Sequence, residues 1–315
     1  MMRWSSIRQL QWFQTPSIET YKMWCHNQRV EPAVDALRDG SHLMWIGRRR
    51  YDRVVLYFHG GGFLVPLTVQ AIIFIRAMQI QLNETTPGVG VAILAYSPAP
   101  FETFPTQLEQ ANSALAHLFA NGLSSQNLQI IGDSAGGNLA LQVFSHALHP
   151  EILPTIAPSP LASTAPLEGV FLLSPWVNPQ AMGSDAGSFH ENRKKDIMTP
   201  ATYRYWGEHG APLHSLPASQ HAFVAPNLAP KGWYDGMEGF VSRVLITAGE
   251  YECPRDDIVA FREDGLREYQ DATMVLIREG VHDDPVAEIV AAAMGAGERG
   301  ATEKSIVDWL HRGFK

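Results

Sequence analysis

A serine lies in a pattern that favours nucleophilic chemistry. Ser134 is the centre of the stretch Gly132–Gly136, which reads G-x-S-x-G. An apolar run, 128–131, precedes the stretch, and a run with helical periodicity, 138–141, follows it. A strand, a sharp turn and a helix in this order form a nucleophile elbow, which presents the serine hydroxyl at a helix N-terminus. The pattern therefore predicts that Ser134 is a catalytic nucleophile.

A glycine-rich stretch upstream supports the same chemistry. The residues 59–62 read His-Gly-Gly-Gly and directly follow the apolar run 54–58. Without side chains, the backbone N–H groups of Gly61 and Gly62 can face a substrate oxygen. Together with the N–H of Ala135 they would form an oxyanion hole, in which each donor contributes roughly 10²- to 10³-fold in rate. The two patterns in this order predict catalysis.

These residues also carry a family resemblance. The chain resembles the hormone-sensitive-lipase-like group of α/β-hydrolases, whose members pair H-G-G-G with G-D-S-A-G-G-N, here at 59–62 and 132–138. The stretch 96–105 is similar to the family's Y-x-L-A-P…F-P loop, and 173–176 is similar to fungal-type esterases. The resemblance runs from about Arg53 to the C-terminus. It implies an α/β-hydrolase fold with a helical cap. It also implies that Asp133 and Asn138 hold the elbow through hydrogen bonds, and that His59 has a structural role.

A serine hydroxyl needs a histidine base, and the base needs an acid that fixes its tautomer. In α/β-hydrolases the order along the chain is serine, acid, histidine. The first acid of the family's D-P-L-x-D pattern is catalytic, and it corresponds to Glu252 in this chain, where Glu replaces the family's Asp. Asp256 and Glu250 are near enough in sequence to be alternative candidates for the same role. His282 follows the last apolar run, 274–277, as the base should.

The apolar runs alternate with helix-period segments, which predicts an α/β fold with a mostly parallel central sheet and helices on both faces. Strands are predicted at 54–58, 89–95, 128–131, 170–173, 244–247 and 273–277. Helices are predicted at 69–82, 107–121, 137–148, 256–269 and 303–312. We expect residues 1–50 to form an N-terminal helical cap segment, and 51–315 to form the catalytic domain with a cap insertion near 178–239.

Two short amphipathic helices are expected in the N-terminal segment, on either side of Pro16. Ile7 and Phe13 lie in the first, and Ile18 and Trp24 in the second. Phe63 and Trp176 are candidate substrate-binding residues, with core packing as the alternative for each.

Composition narrows the class of protein. The net charge of −8 over 315 residues argues against nucleic acid as a partner. Cys25 and Cys253 are too few for a disulfide framework. No signal peptide and no transmembrane run is visible, so a cytoplasmic location is expected. The histidines lack metal-site spacing. The chemistry of a serine, a histidine and an acid needs no metal or organic cofactor, so none is expected. A homodimer is possible.

The resulting hypothesis is a carboxylesterase-type serine hydrolase that cleaves esters of hydrophobic small molecules through an acyl-enzyme. The fungal-type segments suggest xenobiotic, sterol-ester or secondary-metabolite chemistry by resemblance. Two alternatives stay open: a non-hydrolytic enzyme that transfers an acyl group or cyclises a natural product, and a small-molecule receptor on the same scaffold. The presence of His282 argues against the receptor.

Overall fold

A computed structural model of the chain describes residues 14–180, 186–295 and 301–314. Its strands are β1 Ala33–Ala36, β2 His42–Trp45, β3 Arg53–Phe58, β4 Val89–Ala95, β5 Leu128–Asp133, β6 Gly169–Leu173, β7 Val244–Gly249 and β8 Ala272–Ile277. They form one eight-stranded sheet in the order β1-β2-β4-β3-β5-β6-β7-β8. The pairs β1–β2 and β2–β4 are antiparallel, and the others are parallel. The prediction of a mostly parallel sheet is confirmed.

Helices flank this sheet. They are α1 Ser17–Gln28, α2 Val69–Thr85, α3 Thr106–Ala120, α4 Ala135–Leu148, α5 Gly187–Glu191, α6 Pro200–Gly210, α7 His221–Val224, α8 Arg255–Ala260, α9 Asp284–Ala293 and α10 Ala301–Arg312. Of the helices in the described part of the chain, none combines the length and the apolar character that crossing a membrane requires.

Both faces of the sheet are covered, as the continuous apolar runs predict. Successive side chains of a strand point to opposite faces. Accordingly, Val54 and Leu56 of β3 join a core cluster with α3 and α4, whereas Val55 and Tyr57 join a second cluster with α2 and α10. All four side chains are fully buried. The sheet is therefore a rigid platform for the loops at its edge.

The N-terminal part differs from the expected helical segment. α1 begins directly after Pro16 and is the second of the two predicted helices, while the first lies outside the described residues. β1 and β2 follow, and β2 pairs with β4 in register Leu43 to Leu94. The sequence missed these strands because each is four residues long, too short to show a period. The division at residue 50 stays a prediction.

The helix predicted over 256–269 is wrong in its extent. α8 ends at Ala260, and one π turn follows over Phe261–Gly265. The N–H of Leu266 donates to the carbonyl of Phe261, which closes the turn. A glycine inside a helix costs about 1 kcal/mol relative to alanine, so Gly265 disfavours continuation of the helix toward residue 269.

The segment between β6 and β7 carries α5, α6 and α7, in the region where the cap insertion was expected. α6 lies very close to the glycine stretch that follows β3. A Cβ atom on Gly210, the last residue of α6, would stand 1.9 Å from the carbonyl oxygen of Gly62. This contact brings the insertion to the edge of the sheet where the parallel strands end.

Candidate active site

Ser134 occupies a sharp turn between β5 and α4. Its backbone angles are φ 51° and ψ −114°, a conformation that costs a non-glycine residue energy. The positions two residues before and after Ser134 have no space for a side chain, so both must be glycine. A Cβ on Gly136 would lie 1.9 Å from the carbonyl oxygen of Phe58, and one on Gly132 would lie 2.3 Å from that of Gly136. The local sequence therefore dictates the elbow.

The structure brings Ser134, His282 and Glu252 together. The Ser134 Oγ lies 3.0 Å from the His282 Nε2, and the His282 Nδ1 lies 2.9 Å from the Glu252 Oε2. The second carboxylate oxygen, Oε1, accepts a hydrogen bond from the N–H of Gly249 at 2.8 Å. Residues 134, 252 and 282 follow β5, β7 and β8, whose carboxyl ends share one edge of the sheet. The geometry is that of a nucleophile, a base and an orienting acid.

The two competing acids are engaged elsewhere. The Asp256 Oδ2 accepts a hydrogen bond from the N–H of Ser188 at 2.8 Å, at the start of α5. The Glu250 Oε2 accepts one from the N–H of Glu279 at 2.8 Å. Of the three acids considered, Glu252 is the one whose carboxylate is placed on the His282 ring.

The glycine stretch 59–62 lies beside the elbow. Gly61 and Gly62 have φ angles of +108° and +61°, in the region that favours glycine. The N–H of Gly60 donates to the Asp133 Oδ1 at 2.9 Å, and the Tyr57 hydroxyl donates to the same oxygen. Asp133 thus joins the elbow to the glycine stretch, as expected.

The N–H of Ala135 is the first of α4. The first four N–H groups of an α-helix have no acceptor within it, so this donor is available to an anion.

The surroundings of His59 favour its neutral form. Burial lowers its pKa to about 4, although its bond to the Gly60 carbonyl acts in the opposite direction. The Nδ1 of His59 lies 2.8 Å from that carbonyl oxygen, and the ring stacks on Tyr96 with centroids 4.3 Å apart. These contacts hold the backbone of the glycine stretch. The imidazole that contacts the Ser134 Oγ is that of His282.

The electrostatics around His282 favour its charged form. Burial by itself lowers the pKa of the imidazole, but the neighbouring carboxylates of Asp283 and Glu252 outweigh burial and raise that pKa above 6.5. The Asp283 Oδ2 lies 3.4 Å from the Nε2 of His282, the same nitrogen that faces Ser134. Burial raises the pKa of Glu252, although its bond to His282 opposes this.

The insertion covers Ser134 and His282. Ser134 is 4% exposed and His282 2% exposed. The Tyr203 ring of α6 lies edge-on to the His282 ring, with centroids 5.6 Å apart. Trp206 of the same helix fills the space beside Gly62, since a Cβ there would stand 2.4 Å from its ring.

The two candidate pocket residues adjoin the elbow. The N–H of Trp176 donates to the Ser134 carbonyl at 2.9 Å. The centroids of the Phe63 and Trp176 rings are 6.5 Å apart. The Asn138 side chain holds this region by donating to the Trp176 and Val224 carbonyls, both at 2.7 Å. Phe63 and Trp176 are each 4% exposed, so their role in binding stays a prediction.

Several residues at the site were missed by sequence reasoning: Asp283, Asp196, Tyr57, Tyr203 and Trp206. Asp283 could have been identified from the sequence, because it directly follows His282. The others belong to β3 or to the insertion, where no motif marks them. Within the described ranges, no three His, Cys, Asp or Glu side chains are grouped as metal ligands would be.

Comparison with known proteins places this geometry in a family. A family model for the α/β hydrolase fold matches residues 55–284. Steryl acetyl hydrolase 1 of Saccharomyces cerevisiae is 27% identical over 263 residues, which cover 75% of this chain and 54% of that protein. The acetyl-hydrolase of Streptomyces hygroscopicus is 26% identical over 71% of this chain and 65% of its own length. The chain thus spans about half the length of the yeast relative and under two thirds of the bacterial one.

A solved structure has the same fold. An esterase from the bacterial hormone-sensitive lipase family superposes with a TM-score of 0.68 at 20% identity, and the alignment covers 94% of this chain and 90% of that one. The family match includes the glycine stretch, the elbow, Glu252 and His282. The chain therefore belongs to the α/β hydrolase fold family, as its resemblance to the hormone-sensitive-lipase-like group predicted.

Proposed function

We propose that this protein is a serine carboxylesterase that acts through an acyl-enzyme. The observation that carries the proposal is the unbroken series from the Ser134 Oγ to the His282 Nε2, at 3.0 Å, and from the His282 Nδ1 to Glu252, at 2.9 Å. Relatives and structural neighbours that are named hydrolases and esterases support the reaction class.

In the proposed mechanism, the Ser134 Oγ attacks the ester carbonyl while the His282 Nε2 takes the hydroxyl proton. Glu252 holds the ring through Nδ1 and stabilises the imidazolium. The N–H groups of Gly61, Gly62 and Ala135 would hold the oxyanion. His282 then gives the proton to the leaving alcohol, and the acyl-enzyme remains on Ser134. Water, deprotonated by His282, releases the acid and restores the serine.

We infer a short acyl group on a hydrophobic alcohol as the substrate class. The two relatives reported above are named for acetyl esters. The covered site agrees with a small acyl group, because Trp206 and Tyr203 fill the space beside Gly62 and His282. The aromatic side chains at this cover favour an apolar alcohol. Sterol esters and secondary metabolites fit that description.

A panel of p-nitrophenyl esters from acetate to octanoate tests the proposal. We expect the highest kcat/KM for acetate or butyrate, and a loss of roughly 10⁴- to 10⁶-fold in kcat for Ser134→Ala. Ser145→Ala is the matched control, because Ser145 is a buried serine of α4, the helix that begins directly after Ser134. Its hydroxyl accepts from the Trp233 Nε1 at 3.0 Å. The control should keep activity within about twofold.

The same experiment separates the alternatives. Full turnover by Ser134→Ala would refute covalent catalysis. Acyl products on an added alcohol in place of the free acid would indicate transfer instead of hydrolysis. A wild-type protein that binds esters without turning them over, and whose Ser134 is inert to a fluorophosphonate probe, would indicate the receptor.

A further inference from the structure

Asp196 lies in the insertion, four residues before α6 begins at Pro200. Its carboxylate accepts hydrogen bonds from four donors. The Oδ1 accepts from the N–H of Ile197 at 2.7 Å and from the N–H of His282 at 3.1 Å. The Oδ2 accepts from the N–H of Cys253 at 2.7 Å and from the Tyr203 hydroxyl at 3.2 Å. A carboxylate has about four acceptor positions, so its capacity is used.

Two of these donors belong to the loops that carry the base and the acid. One is the backbone N–H of His282 itself, and the other is the N–H of Cys253, the residue after Glu252. The loop after β7 and the loop after β8 are thus joined through one side chain that comes from a third part of the chain. Asp196 is 86 residues from His282 and 57 from Cys253 in sequence.

Neighbouring residues of the insertion hold the acid loop as well. The Asn192 Nδ2 donates to the carbonyls of Glu250 and Glu252, at 3.0 and 2.9 Å. The Ser188 hydroxyl donates to the Cys253 carbonyl at 2.6 Å. Those contacts fix one loop, whereas Asp196 reaches the second loop too. The two loops are also bonded directly nearer the strands, where the N–H of Tyr251 donates to the Gly280 carbonyl at 2.7 Å. Asp196 holds the parts beyond that contact, because it bonds the backbone N–H groups of Cys253 and His282. Its removal would loosen the positions of these two residues.

We propose that Asp196 is a positioning residue that sets the distance between His282 and Glu252. The proposal rests on the serine esterase function proposed above. A bond of 2.9 Å between an acid and a base on separate loops holds only while the loops keep their spacing. A misplacement of about 1 Å in a catalytic constellation can cost on the order of 10²-fold in rate. Asp196 would thereby link the covering helix α6 to the geometry of the triad.

The test compares Asp196→Ala and Asp196→Asn with wild type in p-nitrophenyl acetate hydrolysis. Asp196→Ala removes every acceptor, and we expect kcat to fall about 10- to 100-fold while KM stays within about twofold. Asp196→Asn keeps the shape and one acceptor oxygen, so its kcat should fall less. Thermal unfolding shows whether each variant is folded, and Asp196→Asn gives the answer if Asp196→Ala does not fold.

Asp257→Asn is the matched control. Asp257 is likewise an aspartate bonded to the insertion, since its Oδ1 accepts from the Asn178 Nδ2 at 3.1 Å. Among the hydrogen bonds of the described residues, its side chain makes none to the loops of Glu252 or His282. We expect its kcat to stay within about twofold of wild type.

Three results would overturn the role of Asp196: folded variants with wild-type kcat, a rise in KM at constant kcat, or an equal loss of kcat in Asp257→Asn. None of these touches the proposed function. That function fails on a separate result, full turnover by Ser134→Ala.

Discussion

At the scale of single residues, the surroundings of His282 raise a question about its charge. Glu252 contacts the Nδ1, as expected for an orienting acid, but the Asp283 Oδ2 also lies 3.4 Å from the Nε2. A base must be neutral to accept the serine proton. Carboxylates on both sides raise the pKa of His282, while burial also raises the pKa of Asp283. The proposed base would therefore be neutral only at a higher pH than an ordinary histidine requires.

Asp283→Asn should therefore move the acid limb of the pH profile. Removing the negative charge lowers the pKa of His282, so a larger fraction of the base is neutral at a given pH. We expect the acid limb of kcat/KM to shift to lower pH by about one unit. Asn tolerates the left-handed conformation at this position, φ 55°, as Asp does. The measurement is kcat/KM for p-nitrophenyl acetate from pH 5 to 10.

The neighbouring Asp284→Asn serves as its control. The Asp284 Oδ1 accepts from the N–H of Val281 at 3.3 Å, at the start of α9, and no bond to the His282 ring is among those the structure describes. We expect an unshifted profile for it. An unshifted profile for Asp283→Asn as well would show that Asp283 does not act on the base.

At the scale of elements, the elbow depends on the close approach of α4 to the end of β3. A side chain on Gly136 would place its Cβ 1.9 Å from the carbonyl oxygen of Phe58, a backbone atom that cannot rotate away. Gly136→Ala should therefore destabilise the protein by about 3 kcal/mol or more, measured by urea unfolding. Gly239→Ala, at an exposed glycine with no atom within 4 Å of the added Cβ, should change stability by less than about 1 kcal/mol. Similar values for the two variants would contradict this account of the elbow.

The second element with a testable role is α6, which covers the site through Trp206. Replacing this ring by alanine opens space beside Gly62, so longer acyl chains should be accepted. We expect Trp206→Ala to raise the kcat/KM ratio of octanoate to acetate about tenfold, since each buried CH₂ contributes about 0.8 kcal/mol. The exposed residue Glu208 of the same helix provides the control variant Glu208→Ala. An unchanged chain-length profile in Trp206→Ala would show that this ring does not limit the substrate.

At the scale of the whole molecule, buried acids make stability depend on pH. Burial raises the pKa of Asp257 to about 6, despite the bond from Asn178, and burial raises that of Asp133 to about 6 as well. Between the ordinary value of 3.8 and 6, the folded state binds more protons than the unfolded state. The contribution of these two acids to the free energy of unfolding therefore falls as the pH rises through this window.

Asp257→Asn should remove the free-energy cost of ionising one of these buried acids. The variant has no charge to bury, so we expect it to be more stable than wild type by about 1–3 kcal/mol at pH 7. At pH 4 and below, where wild-type Asp257 is largely protonated, the two proteins should be equally stable. Urea unfolding at both pH values measures the difference. A stability gain that is the same at pH 4 and pH 7 would rule out titration of Asp257 as its cause.

The homodimer that the sequence analysis left open is a prediction at this scale. Sedimentation of the full chain at several concentrations measures it. A single species with the mass of the 315-residue chain at all of them would contradict the dimer.

The strands that carry the site were predictable. The runs at 54–58 and 128–131 lie within β3 and β5, because fully buried parallel strands are continuous apolar runs. β1 and β2 were missed, since two four-residue strands derive their stability from pairing with β4 and not from a local pattern. The helix 256–269 was overextended, because a periodic sequence does not reveal a π turn.

The sequence by itself determined the elbow around Ser134, the glycine stretch and the position of His282 after the last strand. These features are local, since tight turns demand glycine and buried strands demand apolar runs over a few consecutive residues. Only the tertiary structure decided that Glu252, rather than Asp256, meets His282, and that Asp196 joins their loops. Ser134 and His282 are 148 residues apart, and their distance of 3.0 Å follows from the order of strands in the sheet. No local pattern encodes that order.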